Sequence, residues 1–269
     1  MNEPGSNPRH TFSANAAHRQ LPFTIRLDWG LEGARTVASG ADIVVVVDVL
    51  SFSTCVSVAL DRGAEVFPYP WQDTSAEDFA AHHQAQLAGP RGGGGLSLSP
   101  ASLRAAGSLE KVVLPSPNGS ELCHALAGDV PLIAAVCLRN AAVTADWVAA
   151  NLPGDAVLAV VAAGERWPDG RLRPAVEDQI GAGAFIAGLA AAGRGGYEAG
   201  DGRHGYAPEA VAAMAVYESA EPRLHEMLQQ CSSGRELSGA GYAEDVDIAA
   251  ELDDSDSVAI LLDGAFRPL

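Results

Sequence analysis

The chain has 269 residues, 48% of them hydrophobic, which is enough to fill the core of one large α/β domain or two small ones. Its net charge is −17, and Lys111 is the sole lysine among only 17 basic residues, so a nucleic-acid surface built on clustered cations is not expected. There is no apolar run of membrane-spanning length, and the polar stretch 1–20 lacks the apolar middle of a signal peptide; these features predict a cytoplasmic protein without a membrane partner, with a disordered tail over 1–20 and the functional domain over 21–269.

Strand-length apolar runs alternate with longer amphipathic or Ala-rich stretches, the pattern of an α/β fold with a largely parallel sheet. In chain order, LPFTIRLDW and DIVVVVDVL read as strands, followed by a helix over 53–61, the strand AEVFPYP and a helix over 75–87. The segment AGPRGGGGLSLSP, 88–100, has four consecutive glycines and predicts an exposed, mobile loop. KVVLPS and VPLIAAV read as strands around a helix over 120–126, and a helix over 141–151 precedes the strand AVLAVVAA. A helix over 176–192 leads into a second flexible stretch, 191–208; helices over 208–219, 222–230 and 242–252 and the strand SVAILLDG complete the chain. DIVVVVDVL and AVLAVVAA are almost continuously apolar, so helices should cover both of their faces at the centre of the sheet. Cys55, Cys123, Cys137 and Cys231 lack CxxC spacing and read as buried free thiols.

In open α/β sheets, ligands collect where strands end and helices begin. Asp48 emerges from a run of valines, and Ser51, Ser53 and Thr54 follow at a helix start. Asp48 there suits a metal ion and the hydroxyls an anion, a reading favoured over an ordinary N-cap by Ser51 or Ser53 because a carboxylate in an apolar run has few other reasons to be there. A second turn, Ser116, Pro117, Asn118, Gly119 and Ser120, combines a glycine that permits close backbone approach with a serine at a helix start, which also describes a plain Pro-Asn-Gly turn. Asn140 opens the next helix and reads first as a cap.

The most specific patch is AGERWPDGRLRPAVEDQIGAGAF, where Glu165, Arg166, Arg173, Glu177 and Asp178 gather next to a strand end in a chain poor in cations. Acidic residues at a helix start commonly pair with the helix dipole; two arginines beside three carboxylates also suit an oxyanion together with a divalent cation. Gly181 and Gly183 should let this helix pack closely. Hydrolysis of a phosphomonoester needs its oxygens neutralised and a nucleophile held in line. The expected catalytic set is Asp48, Glu165, Arg166 and Arg173, with Mg²⁺ on Asp48, Glu177 and Asp178. Spacing does not decide the ligands, nor between metal-activated water, the preferred nucleophile, and an aspartate. His10, His18, His82, His83 and His204 show no ligand spacing, which disfavours zinc or a histidine nucleophile.

With VVVVDVLSFST, SPNGS, AGERWPDGRLRPAVEDQIGAGA and CSSGRELSGAGYAEDVDIAAELDDSDSVAILLDGAF in that order, the sequence resembles the 2-phosphosulfolactate phosphatase family over nearly the whole chain. The resemblance implies a three-layer α/β/α fold with a mixed, mostly parallel sheet, and Mg²⁺-dependent release of phosphate from 2-phosphosulfolactate, or a similar small phosphorylated hydroxy acid, on the route to coenzyme M. It marks Asp48, Ser116, Asn118, Gly119, Ser120, Asn140, Glu165, Arg166, Arg173, Glu177, Asp178 and Arg235 as motif positions. Ser51, Ser53, Thr54, Ser116, Asn118, Gly119, Ser120, Asn140 and Arg235 form the expected substrate-binding set. One departure is Ser51, where the family commonly has Arg after Asp-Val-Leu; the lost cation is expected to alter the preferred acid. A haloacid-dehalogenase-type phosphatase is discounted because Leu50 stands where a second Asp is required. The competing class is a non-catalytic binding protein for small anionic metabolites, and self-association into a homo-oligomer is compatible with either.

Overall fold

A computed structural model describes residues 17–70, 74–195 and 204–269. The strands are β1 (Phe23–Trp29), β2 (Ile43–Val47), β3 (Glu65–Tyr69), β4 (Gln86–Leu87), β5 (Lys111–Pro115), β6 (Leu132–Val136), β7 (Leu158–Ala162), β8 (Glu165–Arg166), β9 (Leu172–Arg173), β10 (His204–Tyr206), β11 (Ala259–Leu262) and β12 (Ala265–Pro268). The helices are α1 (Gly30–Val37), α2 (Phe52–Asp61), α3 (Thr74–His83), α4 (Pro100–Ala105), α5 (Gly119–Leu126), α6 (Ala141–Asn151), α7 (Val176–Ala191), α8 (Pro208–Ala220), α9 (Leu224–Gln230), α10 (Ser232–Gly239) and α11 (Ala243–Ala249).

One ten-stranded sheet runs in the order β10-β1-β7-β2-β6-β11-β12-β3-β5-β4. The first five strands are mutually parallel, as are the last three, and the antiparallel hairpin β11–β12 joins the two blocks. In β2, Ile43, Val45 and Val47 face one core while Val44 and Val46 face the other. β7 alternates likewise, with Leu158 and Val160 against Ala159 and Val161. The apolar run is thus explained by burial of both faces. One core is closed by α6, α7 and α8, the other by α1, α2, α4 and α5, which makes the three layers α/β/α. Gly181 and Gly183 allow α7 to approach its neighbours: a Cβ on Gly183 would strike the Ala213 backbone of α8, and one on Gly181 would lie 2.6 Å from Val49 Cγ2.

Several expectations are adjusted by local geometry. The helix expected over 75–87 ends at His83, because Gln84 turns to φ +54°, and Gln86–Leu87 instead pairs parallel with β5. The helix expected over 242–252 is shorter, Ala243–Ala249, and α10 precedes it with the Cys231 sulfur accepting from Gly234 N–H at 3.3 Å. Helix α4 starts from Ser99, whose hydroxyl accepts from Ser102 N–H, with Pro100 in the first turn, a signal present in the sequence but attributed to the loop. The glycines 92–95 are exposed as expected, yet the loop is tied at its base: Gly89 bridges Ser97, and Ser99 Oγ donates to Asp245 at 2.5 Å.

Most of the expected tail, 1–16, lies outside the described residues. Gln20 is buried and exchanges two hydrogen bonds with the Leu27 backbone, so 17–20 belong to the fold. Of the stretch 191–208, residues 196–203 lie outside the description, while His204–Tyr206 forms an edge strand on β1. All four cysteines are free and buried. No helix among the described residues is long and apolar enough to cross a membrane.

Candidate active site

β2 and β7 are parallel neighbours, with Val47 opposite Ala162, yet the chain leaves them in opposite directions. From β2 it enters α2 on one face, and from β7 it enters α7 on the other. Such a divergence opens a crevice beyond the two strand ends. Asp48 and the segment Ala163–Glu165 follow these ends directly.

Asp48 is 4% exposed and both its oxygens are held: Oδ1 accepts from Phe52 N–H at 3.1 Å and Oδ2 from Gly119 N–H at 2.9 Å. The carboxylate therefore caps α2, although Ser51 occupies the N-cap position. Gly119 is required by this approach, since a Cβ there would strike the Phe52 ring and lie 2.9 Å from Asp48 Oδ2. Asp178 performs a matching task from α7. Its Oδ1 accepts from Val49 N–H at 2.7 Å and its Oδ2 from Gly164 N–H at 2.8 Å, which ties the loops after β2 and β7 together.

Glu165 begins the small hairpin β8–β9, and its Oε2 accepts from Asn118 Nδ2 at 3.1 Å. Glu177 is 2% exposed, so its place in the first turn of α7 is not that of a solvated dipole partner. Burial pushes the Asp48 carboxyl up to about 6, with the charge of Glu177 adding to the rise; the two backbone donors and Arg91 oppose it. Burial and the charge of Asp48 push Glu165 up to about 7, against the Asn118 hydrogen bond and Arg173. Asp178 is driven well above the carboxylate range by burial, then by the charges of Asp48 and Glu177. These four side chains thus form one electrostatic unit.

Among the described residues no group of three His, Cys, Asp or Glu side chains is already arranged as a metal site. The donor chemistry nevertheless fits a hard divalent cation: the groups are all oxygen donors and largely buried, and in Asp48, Glu165 and Asp178 burial, then neighbouring carboxylate charge, raises the cost of ionisation that a cation would offset.

A cleft of about 260 Å³ opens beside this unit, lined in part by Trp29, Leu31, Asn118, Glu165, Arg166 and Leu172. Arg166 is at its rim, where it pairs with Glu121 and donates to Pro117 O at 3.2 Å. Arg173 packs its guanidinium 5.8 Å from the Trp167 ring centroid and donates to Ser233 Oγ at 3.3 Å, which brings the start of α10 to the site.

Other expected ligand groups are engaged elsewhere. Ser53 Oγ donates to Val46 O and accepts from Asp48 N–H; Thr54 Oγ1 donates to Val49 O; Ser120 Oγ donates to Leu114 O. Asn140 is fully buried, with Oδ1 accepting from Cys137 N–H and Nδ2 donating to Ala135 O. These four residues hold backbone in place and do not present polar groups to a ligand. Ser116 Oγ accepts from Asn118 N–H at 3.3 Å and shapes the turn that aims Asn118, while Arg235 is exposed on α10.

Two residues absent from the expected set complete the arrangement. Arg91 Nη2 donates to Ser51 Oγ at 2.8 Å and Arg91 Nε to Asp245 Oδ2 at 3.3 Å. The cation that Ser51 was expected to cost the site is therefore supplied from the glycine-rich loop. Only Arg91's isolation in a cation-poor segment hinted at this.

No curated protein matches the sequence. The family model described as 2-phosphosulpholactate phosphatase matches residues 33–264, a span containing Asp48, Arg91, Glu165, Arg166, Arg173, Glu177 and Asp178, and the chain belongs to that family.

Proposed function

We propose that this protein hydrolyses the phosphomonoester of a small phosphorylated hydroxy acid, of which 2-phosphosulfolactate is the family's namesake, with Mg²⁺ as cofactor. The observation that carries the reading is the buried unit of Asp48, Glu165, Glu177 and Asp178 at the divergence of β2 and β7, beside a cleft and two arginines, within a chain of this family.

Asp48, Glu177 and Asp178 would hold the cation, which would supply positive charge to the phosphoryl oxygens and acidify a bound water. Arg173 adds a fixed guanidinium charge near Glu165. Glu165, raised to about 7 and lining the cleft, is suited to take a proton from the attacking water. The water oxygen then bonds to phosphorus, the bond from phosphorus to the hydroxy-acid oxygen breaks, and the proton held by Glu165 is returned to that oxygen, directly or through solvent, on release. With Asp48 assigned to the cation, water is the nucleophile in this reading.

Phosphate release from a panel of phosphorylated hydroxy acids, with Mg²⁺ and after EDTA treatment, tests the proposal. Turnover that EDTA abolishes and Mg²⁺ restores is the expected result. Ligand binding without turnover under every condition would overturn it in favour of a non-catalytic binding protein.

A further inference from the structure

We infer that Arg91 is a substrate-binding residue that grips the phosphoryl group beside Asp48, a role that rests on the phosphatase reading above. The guanidinium is delivered by the loop that contains four successive glycines, 154 residues before its anchor Asp245. That anchor is 1% exposed and is held on its other oxygen by Ser99 Oγ at 2.5 Å and Ala101 N–H at 3.1 Å. A buried carboxylate with three donors is a fixed post, so the arginine attached to it has a defined direction. One face of the guanidinium lies 5.4 Å from the Tyr242 ring centroid, which limits its swing further.

From this post the side chain reaches Ser51, three residues past Asp48, and its charge is felt by Asp48. Nε and Nη2 are engaged, whereas Nη1 makes no hydrogen bond among the described residues, and the side chain is 24% exposed. A guanidinium clamped on two nitrogens with its third directed to no protein partner is suited to an external oxyanion. Through Ser51 it is also tied to the loop that follows Asp48 at the end of β2. Arg62 and Arg139 offer no such opportunity, because the first is spent on the carbonyls of Leu103, Arg104 and Gly107, and the second on Asp61 and Asp254.

The competing role is a simple tie for the glycine loop, and two substitutions separate the roles in the full chain with Mg²⁺. Arg91→Gln keeps a donor on a similar stem without charge, and Arg91→Lys keeps the charge. The probes are inorganic phosphate binding by calorimetry and steady-state kinetics on phosphorylated hydroxy acids. Arg91→Gln should weaken phosphate binding about tenfold or more and raise KM to match, with kcat changed by less than about threefold, while Arg91→Lys recovers most of the loss. Phosphate affinity and KM unchanged in Arg91→Gln would overturn the assignment. So would equal losses in both variants that follow a fall in melting temperature. Wild-type protein that binds phosphate through Arg91 but turns over no ester would keep this assignment and remove the hydrolase. Wild-type protein that does neither would remove both.

Discussion

The N–H of Gly119 donates to Oδ2 of Asp48 at 2.9 Å, so the start of α5 and the end of β2 share one wall of the crevice. Gly119→Ala places a methyl group against the Phe52 ring and that carboxylate oxygen. It should destabilise the fold by about 1–3 kcal/mol and lower kcat/KM, because the Asp48 side chain must move. Urea melts and phosphate-release kinetics on the same preparation check this; a variant with wild-type values in both would show that the contact is dispensable.

Glu177→Gln removes a buried charge that raises Asp48, Glu165 and Asp178. The variant should remain folded, lose about a hundredfold or more in turnover, and no longer gain thermal stability on addition of Mg²⁺. Retention of the Mg²⁺-induced shift would take Glu177 out of the proposed metal site.

Stability should also depend on pH in a definite direction. Asp48 rises from 3.8 to about 6 and Glu165 from 4.5 to about 7, so between the ordinary and the raised values the folded protein holds protons that the unfolded chain has released. Their protonation therefore favours the fold at mildly acidic pH, and this contribution declines as pH climbs through about 6 and then about 7. Fluorimetric melts of metal-free protein at about pH 5 and about pH 8 should show Mg²⁺ raising the transition much more at the higher pH, where the carboxylates are ionised. Equal Mg²⁺ effects at both values would contradict the coupling.

Arg166 is paired with Glu121 at the rim of the cleft. Arg166→Ala should raise KM several-fold with little change in kcat and alter stability by less than about 1 kcal/mol, as both partners are substantially exposed. Glu121→Gln frees the guanidinium and should lower KM for anionic substrates. A KM that moves the same way in both variants would deny Arg166 a role in recognition.

The centre of this architecture was legible because burial on two faces leaves a plain mark: the valines of β2 and the run in β7 can hardly be read otherwise. Short partners leave none. Gln86–Leu87 and His204–Tyr206 are too brief for a period of two to emerge, and they are strands only because a neighbouring edge pairs with them. Within the site, Asp48 stood out as a carboxylate in an apolar run, and the cluster from Glu165 to Asp178 by its density of charge. Ser53, Thr54 and Ser120 illustrate the converse limit, since a hydroxyl at a helix start looks the same in sequence whether it faces a ligand or the backbone. Arg91 owes its place to Ser51 and Asp245, partners distant in the chain, which spacing does not record.

The β11–β12 hairpin has a further consequence for how this protein is made. Strands β11 and β12 follow the other described elements in the chain yet lie between β6 and β3, so the two parallel blocks keep open edges until the hairpin that joins them is in place. A chain without this hairpin would expose both rims as templates for a foreign strand, so docking of β11–β12 is what closes the sheet against edge-to-edge aggregation.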